Sequence, residues 1–448
     1  MKDSSKMPRR DFIKRSAVGA AAVGLGALGA PAPGSVLGAN ERIRFAVIGV
    51  GGRGGGHVGE LLDRIKNSPE VNIKLTAVCD VYDARAQGNA QRCGGEAYRD
   101  YRELIEKAKP DAVVIATPDH WHAPISLDCL DAGIHVYCEK PMTLYWEEAK
   151  TVYERVQSTG LAFQVGAQGC SDDVFWQAQK QVKAGALGKL IWSQTGAYRN
   201  VPGGDWNYGL DFNADPTKNL DWNLWLGSAP KRPFELDRYC NFRKYWDYSG
   251  GLATDLLYHS LSHMQIALGP QFPIRVVASG GNYAAFDREV PDCFHVLIDY
   301  PPEENAPKSY QPGEQTLTAK NGDQTVEISK YRLDGVAGHT MAMSATGANE
   351  QGLPELIRGE EGTLYFEGPG VTIRPERPYQ DKRQEIQVAR EPRSDHTLNF
   401  INSIRGTEKP HLDALTGYMT EVAIALSVAS YREKKVKLFD PVKQKVIQ

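Results

Sequence analysis

Five apolar runs, separated by stretches with helical spacing, follow one another between residues 43 and 166. The runs are almost continuously hydrophobic, which is typical of strands that are buried on both faces of a parallel sheet. Glycines such as Gly133 and Gly160 stand where the intervening helices are expected to end. The alternation predicts a doubly wound α/β fold on a parallel sheet. The predicted strands are 43–50, 73–80, 112–118, 134–139 and 162–166.

The pattern changes after Ala167. An aromatic-rich loop region, 200–248, is followed by a predicted helix over 251–268. Segments in which apolar and polar residues alternate come next, with few helices among them. They predict a second α/β domain with a large, open, mostly antiparallel sheet. The predicted strands of this part are 190–199, 274–279, 294–300, 315–319, 324–329 and 363–366, and its other helices are 174–184, 396–404 and 417–431.

Composition and charge narrow the classes of partner. Of the 448 residues, 41% are hydrophobic and 24% are charged, as in soluble globular proteins. The formal net charge is −3 and no long run of one sign occurs, so neither nucleic acid nor an anionic membrane is expected as a partner. The seven cysteines contain no CxxC spacing, so a zinc ribbon or a thioredoxin-type site is not predicted.

A glycine-rich turn, GVGGRG at residues 49–54, follows the first predicted strand and precedes a helix. This is the context that a GxGxxG motif needs to bind a dinucleotide. Gly49 permits the turn, Gly51 lets backbone N–H groups approach a pyrophosphate, and Gly54 lets helix and strand pack closely. The helix N-terminus adds unpaired N–H donors and a partial positive charge. The alternative is a glycine-rich turn without a ligand.

Asp80 ends the second predicted strand. A carboxylate at this position can accept hydrogen bonds from the ribose hydroxyls and repels a 2′-phosphate, so NAD is favoured over NADP. Arg85 could meet a phosphate, which leaves NADP open. The alternatives for Asp80 are a helix N-cap or a solvated strand end.

The segment Glu139-Lys140-Pro141 follows the fourth predicted strand. Pro141 has a fixed φ and biases Lys140 toward an extended backbone. This places a lysine at the carboxyl edge of the sheet, where open α/β proteins bind their ligands. Beside cationic NAD⁺ the pKa of the lysine should fall, which suits a general base. The alternative is a lysine that only positions the cofactor.

Taken together, the chain resembles the glucose–fructose oxidoreductase / inositol dehydrogenase / MocA (Gfo/Idh/MocA) family over nearly all of the mature sequence. The resemblance implies a Rossmann domain, followed by an open-sheet α/β domain that shapes the substrate pocket and often forms oligomers, here a homo-oligomer such as a dimer or tetramer. The motifs that carry it are GVGGRG at 49–54, CD at 79–80, ATPDHWHA at 116–123, CEKP at 138–141, VGAQ at 165–168, DWNLWLG at 221–227 and YSGGLATDLLYH at 248–259.

By this resemblance Lys140, Asp255 and His259 form the catalytic group. Gly251 is the first residue of the G-x-x-x-D-x-x-x-H segment that contains Asp255 and His259. Asp255 and His259 are four residues apart, so they would share one face of a helix. His259 can take the proton of a substrate hydroxyl while Lys140 binds the same oxygen or relays the proton, and Asp255 can orient the histidine or the substrate. Whether Lys140 or His259 is the base stays open.

The predicted binding residues are grouped by ligand. Arg199 and Asn200, after a strand, are expected to bond substrate hydroxyls, and His263 is a further candidate, with a plain core or surface histidine as its alternative. Ser262 stands where relatives often have an acid, which weakens any transfer of inositol preference. The predicted cofactor-binding residues are Gly49, Gly51, Gly52, Arg53, Gly54, Asp80, Thr117, Pro118, His122, Glu139, Lys140 and Gln168.

The run Asp119-His120-Trp121-His122 suggests a metal site at first sight. No further ligands cluster nearby in the sequence, and the family that the chain resembles is metal-free. No metal is therefore expected.

The N-terminus carries twin arginines, Arg9 and Arg10, then a modest Ala/Gly-rich apolar stretch and small residues. This predicts a Tat export signal over residues 1–39, with Ala32 as an alternative cleavage position. The apolar run is too short and too rich in glycine for a membrane span. The expected domains are then 40–167 and 168–448, in a periplasmic or otherwise extracytoplasmic protein without stable membrane insertion.

These observations predict an oxidoreductase that moves a hydride between a nicotinamide cofactor and a sugar, glycoside or cyclitol. Tat substrates cross the membrane folded and nicotinamide cofactors are made in the cytoplasm, so the cofactor is expected to be tightly bound. One alternative is a redox-neutral, NAD-dependent glycoside-cleaving enzyme, against which the retained Lys140 argues. The other is a non-catalytic NAD-containing binding protein.

Overall fold

A computed structural model describes residues 41–302, 313–333 and 338–447 of the chain. The predicted export signal, 1–39, lies outside these ranges. Residues 43–448 form one compact unit. Within the described ranges, none of the helices combines the length and the apolar character that crossing a bilayer requires.

The first sheet has six parallel strands in the order β3-β2-β1-β4-β5-β6. This is the strand order of the Rossmann fold, and the order reverses between β1 and β4, where a crevice opens at the carboxyl ends. The short, partly exposed β3 lacks an apolar run and was not predicted. The strands are β1 Ile43–Ile48, β2 Ile73–Cys79, β3 Glu96–Tyr98, β4 Ala112–Ile115, β5 His135–Glu139 and β6 Phe163–Gly166.

Helices connect these strands and cover the sheet. The first begins at Gly52, within the glycine-rich motif 49–54, so its free N–H groups point toward the crevice. The helices are α1 Gly52–Asn67, α2 Asp83–Cys93, α3 Tyr101–Ala108, α4 His122–Asp131 and α5 Trp146–Thr159.

The second sheet is large and mostly antiparallel, as predicted, with the path β17-β16-β15-β14-β7-β12-β9-β8-β18-β19 and β13 paired to β7. Only β7 and β12 are parallel among its described neighbours. The strands are β7 Leu190–Asn200, β8 Arg275–Gly281, β9 Cys293–Tyr300, β12 His339–Thr346, β13 Ala348–Asn349, β14 Leu356–Gly359, β15 Gly362–Glu367, β16 Gly370–Pro375, β17 Ile386–Ala389, β18 Lys437–Asp440 and β19 Lys445–Ile447.

Two predicted strands do not join that sheet. β10, Gly313–Asn321, and β11, Gln324–Leu333, pair only with each other. The apolar side chains of Val326 and Ile328 are exposed. Every hairpin residue whose burial is described is exposed, so none of these side chains packs the hairpin against the large sheet.

The helices of the second part bury their apolar sides against both sheets. One continuous core contains Val113 of β4, Leu261 of α9 and Val422 of α11. Phe400 of α10 packs edge-on against Phe45 of β1, so the C-terminal part also covers the first sheet. The helices are α6 Asp173–Lys183, α7 Trp222–Leu226, α8 Leu236–Cys240, a π-helical turn Ala253–Leu257, α9 Tyr258–Leu268, α10 His396–Ile404 and α11 Ala414–Glu433.

Candidate active site

The glycine turn after β1 is built for close packing on one side and open space on the other. Gly49 has φ +82°, and a Cβ there would lie 2.8 Å from the carbonyl carbon of Ala116. A Cβ on Gly54 would lie 1.8 Å from the Gly49 carbonyl oxygen. A Cβ on Gly52 would have no neighbour within 4 Å. The open side, with the N-terminus of α1 behind it, fits a dinucleotide phosphate cradle.

Replacing Gly54 with alanine is expected to destabilise the protein by at least about 2 kcal/mol, because backbone must move to admit the methyl group. The matched control is Gly56→Ala, since Gly56 is exposed within the same helix and has open space around it. That change should stabilise α1 by about 0.5–1 kcal/mol. Chemical denaturation of both variants checks the pair, and equal stability would contradict the packing role of Gly54.

Asp80 joins the end of β2 to the glycine turn. One carboxylate oxygen accepts the Val50 N–H at 3.0 Å and the other accepts the Tyr82 N–H at 3.0 Å. Burial raises the pKa of Asp80, and the charge of Arg85 opposes that rise. Each oxygen can accept more than one hydrogen bond, so the carboxylate keeps capacity for a ribose hydroxyl. Tyr82, not Asp80, caps α2, so the N-cap alternative is wrong.

Two adjoining cavities lie along the carboxyl edge of the first sheet. The large cavity, about 510 Å³, extends from Gly51 and Asp80 to side chains of the second part of the chain. The small cavity, about 310 Å³, contains Lys140 and His259. The residues that line both are Arg53, Ala116, Thr117 and Arg243. The two cavities therefore adjoin at these residues, and together they are called the cleft.

Residues 208–243, here called the second-domain wall, close the far side of the large cavity. The Asp221 N–H donates to the Val81 carbonyl at 2.9 Å, and the Asp83 N–H donates to the Asn219 carbonyl at 2.9 Å. The indole N–H of Trp121 donates to the Trp225 carbonyl at 2.8 Å. The sequence predicted an aromatic-rich loop here and marked DWNLWLG at 221–227 as a motif, but it did not predict that the segment forms a cavity wall. Its cavity-facing side chains include Leu224, Trp225, Tyr239 and Phe242.

Glu139 is a buried hydrogen-bond acceptor at the base of the small cavity. A single carboxylate oxygen lies 2.8 Å from Arg53 Nε, 2.7 Å from His57 Nε2 and 2.9 Å from Gln168 Nε2. Burial raises the pKa of Glu139, but His57 and Arg53 outweigh it and lower the pKa to about 2. Glu139 therefore holds the predicted cofactor residues Arg53 and Gln168 in place. Its partner His57 was not predicted.

Lys140 is paired with Asp255, the second predicted catalytic residue. Its ammonium donates to Asp255 Oδ1 at 2.5 Å and to the Asp255 carbonyl at 2.8 Å. Arg243 Nε donates to Oδ1 at 2.9 Å, and the indole N–H of Trp206 donates to Oδ2 at 2.8 Å. Burial raises the pKa of Asp255, but Lys140 and Arg243 outweigh it and hold that pKa well below its usual range. Asp255 is therefore an ionised anchor for Lys140.

The expected orientation of His259 by Asp255 is not observed. Asp255 lies in the π-helical turn, while His259 lies in the first turn of α9. The wider turn changes the angular spacing that an uninterrupted α-helix would give, and π-turns are frequent at functional sites. The carboxylate bonds instead to side chains from three other segments.

His259 lines the small cavity with Lys140. Its ring has no hydrogen-bond partner among the residues that the structure describes. Burial, then the charges of Lys140 and His263, lower the pKa of His259 to about 3. The ring is thus neutral at ordinary pH, with a nitrogen lone pair available to accept a proton. The ring can therefore accept a proton, whereas Lys140 is already a hydrogen-bond donor to Asp255.

Two predicted binding histidines are packed away from the cleft. His122 is buried, with Nδ1 2.6 Å from the Pro141 carbonyl oxygen and Nε2 3.0 Å from that of Thr117, so it supports the cavity from behind. His263 stacks on Phe175 with ring centroids 4.5 Å apart, and burial lowers its pKa to about 4. Neither ring lines the two cavities, so the cofactor contact predicted for His122 is not supported, whereas His263 fits its alternative as a core histidine.

Of the other residues that were predicted to bind cofactor or substrate, some line the cleft and some do not. Thr117 lines both cavities and Pro118 lines the large one. Arg199 lies 3.4 Å from Asp205 in an ion pair, and Asn200 pairs with Ala348 in the sheet, so neither lines the described cleft. Their substrate contacts are not supported by this arrangement. The described residues also contain no group of three or more His, Cys, Asp or Glu that is arranged to hold a metal.

Trp206 and Arg243 are the functional candidates that sequence reasoning missed. Trp206 is buried and has φ +63°, a left-handed conformation that is rare for a large side chain. Such strain often accumulates at functional sites. The preceding Gly203 and Gly204, both left-handed, were the only local signal of this turn. Arg243 belongs to no motif that could have marked it.

The fold and cleft define a two-domain protein whose first domain is a dinucleotide-binding Rossmann domain. A family model described as oxidoreductase family, NAD-binding Rossmann fold, matches residues 43–167. A second, described as oxidoreductase family, C-terminal alpha/beta domain, matches residues 176–285. Together they cover more than half of the chain. The protein belongs to the Gfo/Idh/MocA oxidoreductase family, which confirms the resemblance and the NAD-binding class of the first domain.

Curated relatives match mainly one part of the chain. Inositol 2-dehydrogenase of Rubrobacter xylanophilus is 38% identical over 155 residues, 34% of this chain and 43% of the relative. scyllo-Inositol 2-dehydrogenase (NAD(+)) of Bacillus subtilis is 33% identical over 153 residues, again 34% and 43%. The chain therefore spans less than half the length of these relatives.

A solved structure extends the likeness in fold to almost the whole chain. The WlbA dehydrogenase from Bordetella pertussis, in complex with NADH and UDP-GlcNAcA, has a TM-score of 0.60 and 18% sequence identity. The match covers 89% of this chain and 99% of that one. At this identity the likeness supports the two-domain fold.

Proposed function

We propose that the protein is an NAD-dependent oxidoreductase acting on a CH–OH or keto carbon of a sugar, glycoside or cyclitol. The observation that carries this proposal is the neutral His259, which has no hydrogen-bond partner in the described part of the chain and lies with the Lys140–Asp255 pair in a cavity that adjoins the one at the glycine turn. The names of the inositol dehydrogenase relatives support the substrate class.

Each side chain of the small cavity has a distinct part in the proposed reaction. Bound nicotinamide supplies the hydride acceptor or donor. In the oxidation direction His259 takes the proton of the substrate hydroxyl through its free ring nitrogen. Lys140 donates a hydrogen bond to the same oxygen and stabilises the negative charge that develops on it. Asp255 keeps the Lys140 ammonium in place, and the roles reverse in reduction.

The residues of the large cavity fit a retained dinucleotide. The glycine turn and the N-terminus of α1 offer N–H donors for phosphates. Asp80 favours NAD over NADP, since its carboxylate suits ribose hydroxyls and repels a 2′-phosphate. The second-domain wall is bonded to the first domain near both Val81 and Trp121. Those bonds hold the wall against the cavity that carries Asp80, which supports tight retention.

Export is part of the same proposal. The twin arginines at residues 9 and 10 support a Tat signal, and a retained cofactor suits a compartment without a nicotinamide pool. Cell fractionation of the full chain, compared with an Arg9→Lys/Arg10→Lys variant, tests this. Loss of the extracytoplasmic fraction in the variant is expected, and unchanged export would contradict it.

The function is tested on the purified full chain. The absorbance of bound nicotinamide is recorded before and after addition of a panel of sugars, glycosides and cyclitols, and products are identified by mass. A change in the reduced-nicotinamide band supports the oxidoreductase. Glycoside cleavage without net change would support the redox-neutral alternative, and bound nucleotide without any response would support a binding protein.

Replacing Lys140 with alanine is expected to slow the spectral response at least about 100-fold, because the oxygen that loses the proton then lacks its charged hydrogen-bond donor. Stopped-flow absorbance gives the rate, and nucleotide content per chain should stay near that of the wild type. Lys107→Ala is the matched control, since Lys107 also pairs with a carboxylate but lies on an exposed helix face. An unchanged rate in Lys140→Ala would refute the role of Lys140.

A further inference from the structure

The junction of the two cavities is lined by two arginines. Arg53 comes from the glycine turn and Arg243 from the second-domain wall, and both line the large and the small cavity. The large cavity carries the candidate adenosine contact Asp80, and the small cavity carries Lys140 and His259. A dinucleotide that occupies both must pass this junction with the group that links its two halves. That linking group is a pyrophosphate.

Both guanidinium groups are held in the same manner. Arg53 Nε donates to Glu139 at 2.8 Å, and Arg243 Nε donates to Asp255 at 2.9 Å. Neither guanidinium has a further hydrogen-bond partner among the described residues, and each side chain keeps some exposure, 45% for Arg53 and 25% for Arg243. One carboxylate thus fixes each arginine through Nε, and the terminal nitrogens are left for another acceptor.

Terminal guanidinium nitrogens are well suited to anionic oxygens. Arginine binds phosphate with paired, charge-assisted hydrogen bonds and stays charged in proteins. We propose that Arg53 and Arg243, which line the same two cavities, form an arginine clamp that binds the pyrophosphate of the dinucleotide. The proposal rests on the proposed function, since it assumes that NAD occupies the cleft. It adds a contact from the second domain, which the glycine turn alone does not provide.

The clamp also connects cofactor binding with the catalytic pair. Arg243 Nε and Lys140 Nζ donate to the same oxygen of Asp255. A phosphate held by the terminal nitrogens of Arg243 fixes its guanidinium plane, and the Nε–H then fixes Asp255 Oδ1. Arg243 is therefore also a positioning residue for Lys140. An acidic group on a substrate is the other possible source of an anion here, and the test separates the two.

The test measures nucleotide binding rather than turnover. Arg243→Gln and Arg53→Gln are purified as full chains, stripped of bound nucleotide with activated charcoal, and titrated calorimetrically with NAD⁺ and with adenosine. Each variant is expected to bind NAD⁺ 10- to 100-fold more weakly, the range for one charged hydrogen-bond contact. Adenosine, which lacks phosphate, should bind within twofold of the wild type. Arg243→Lys keeps the positive charge but loses the paired N–H donors of the guanidinium, so its NAD⁺ affinity should lie between those of Arg243→Gln and the wild type.

Arg275→Gln is the matched control, because Arg275 also pairs with an aspartate but lies on the second sheet away from the cleft. NAD⁺ affinity within twofold of the wild type in Arg243→Gln would overturn the clamp. If the KM for the substrate is then raised in that variant, Arg243 binds an anionic group of the substrate instead. If Arg243→Gln does not fold, the NAD⁺ affinities of Arg53→Gln and Arg243→Lys are compared with the wild type instead, and an affinity within twofold again overturns the clamp. A wild type that does not bind NAD⁺ would refute the proposed function itself.

Discussion

Replacing His259 with alanine is expected to lower kcat about 10³- to 10⁴-fold while nucleotide content stays unchanged. In the cleft His259 is the neutral titratable ring that faces the cavity beside Lys140. Its loss leaves the substrate hydroxyl without a proton acceptor, since the Lys140 ammonium is already a donor to Asp255. Single-turnover absorbance of the bound nicotinamide isolates the chemical step from product release.

The pH dependence of His259 provides a second readout. With a pKa lowered to about 3, the ring stays neutral well below the ordinary histidine value of 6.5. The reaction rate should therefore not fall between about pH 7 and pH 5, where a histidine of ordinary pKa would become protonated. His295→Gln, on an exposed strand position, is the matched control and should retain full activity. A sharp loss near pH 6.5 in the wild type, or a fast His259→Ala variant, would contradict the assignment.

The same burial predicts how stability changes with pH. The pKa values of His120, His259 and His396 are lowered to about 4, 3 and 4 by burial. The unfolded chain binds protons at these histidines near pH 6.5, while the folded chain does not. Stability should therefore rise with pH between about 4 and 6.5 and fall when the protein is acidified through this window.

The first domain could be predicted from sequence because its signals are local. Continuous apolar runs and a glycine turn at the end of β1 determine a parallel sheet and its ligand edge, and Pro141 marks the turn that carries Lys140. These features depend on residues that are neighbours in the chain. The strand order then follows from general rules of connection.

The environment of Asp255 could not be predicted in the same way. Its donors Lys140, Trp206 and Arg243 come from segments far apart in sequence, and their meeting depends on how the second-domain wall folds back over the first sheet. The π-helical turn also broke the assumed spacing between Asp255 and His259. A histidine that packs and a histidine that binds look alike in sequence, which is why His122 was placed at the cofactor and why both roles stayed open for His263.

Replacing Asp255 with asparagine is expected to lower both stability and activity strongly. The carboxylate accepts from Lys140, Arg243 and Trp206, whereas an amide offers one acceptor oxygen and turns an N–H₂ group toward the remaining donors. Two cations then share a buried site without a counter-charge. We expect the free energy of unfolding to fall by about 3–5 kcal/mol, and kcat by at least about 100-fold.

Denaturation in urea, followed over a range of pH, measures this loss. The folded pKa of Asp255 is depressed below its ordinary value of 3.8, so its stabilising effect is present above that value and is lost as the pH falls further. The difference between wild type and Asp255→Asn should thus stay constant from about pH 8 to pH 5. Asp83→Asn, which breaks a partly exposed pair with Arg99, should cost no more than about 1 kcal/mol. Equal losses in the two variants would mean that the charge of Asp255 is not what anchors Lys140 and Arg243.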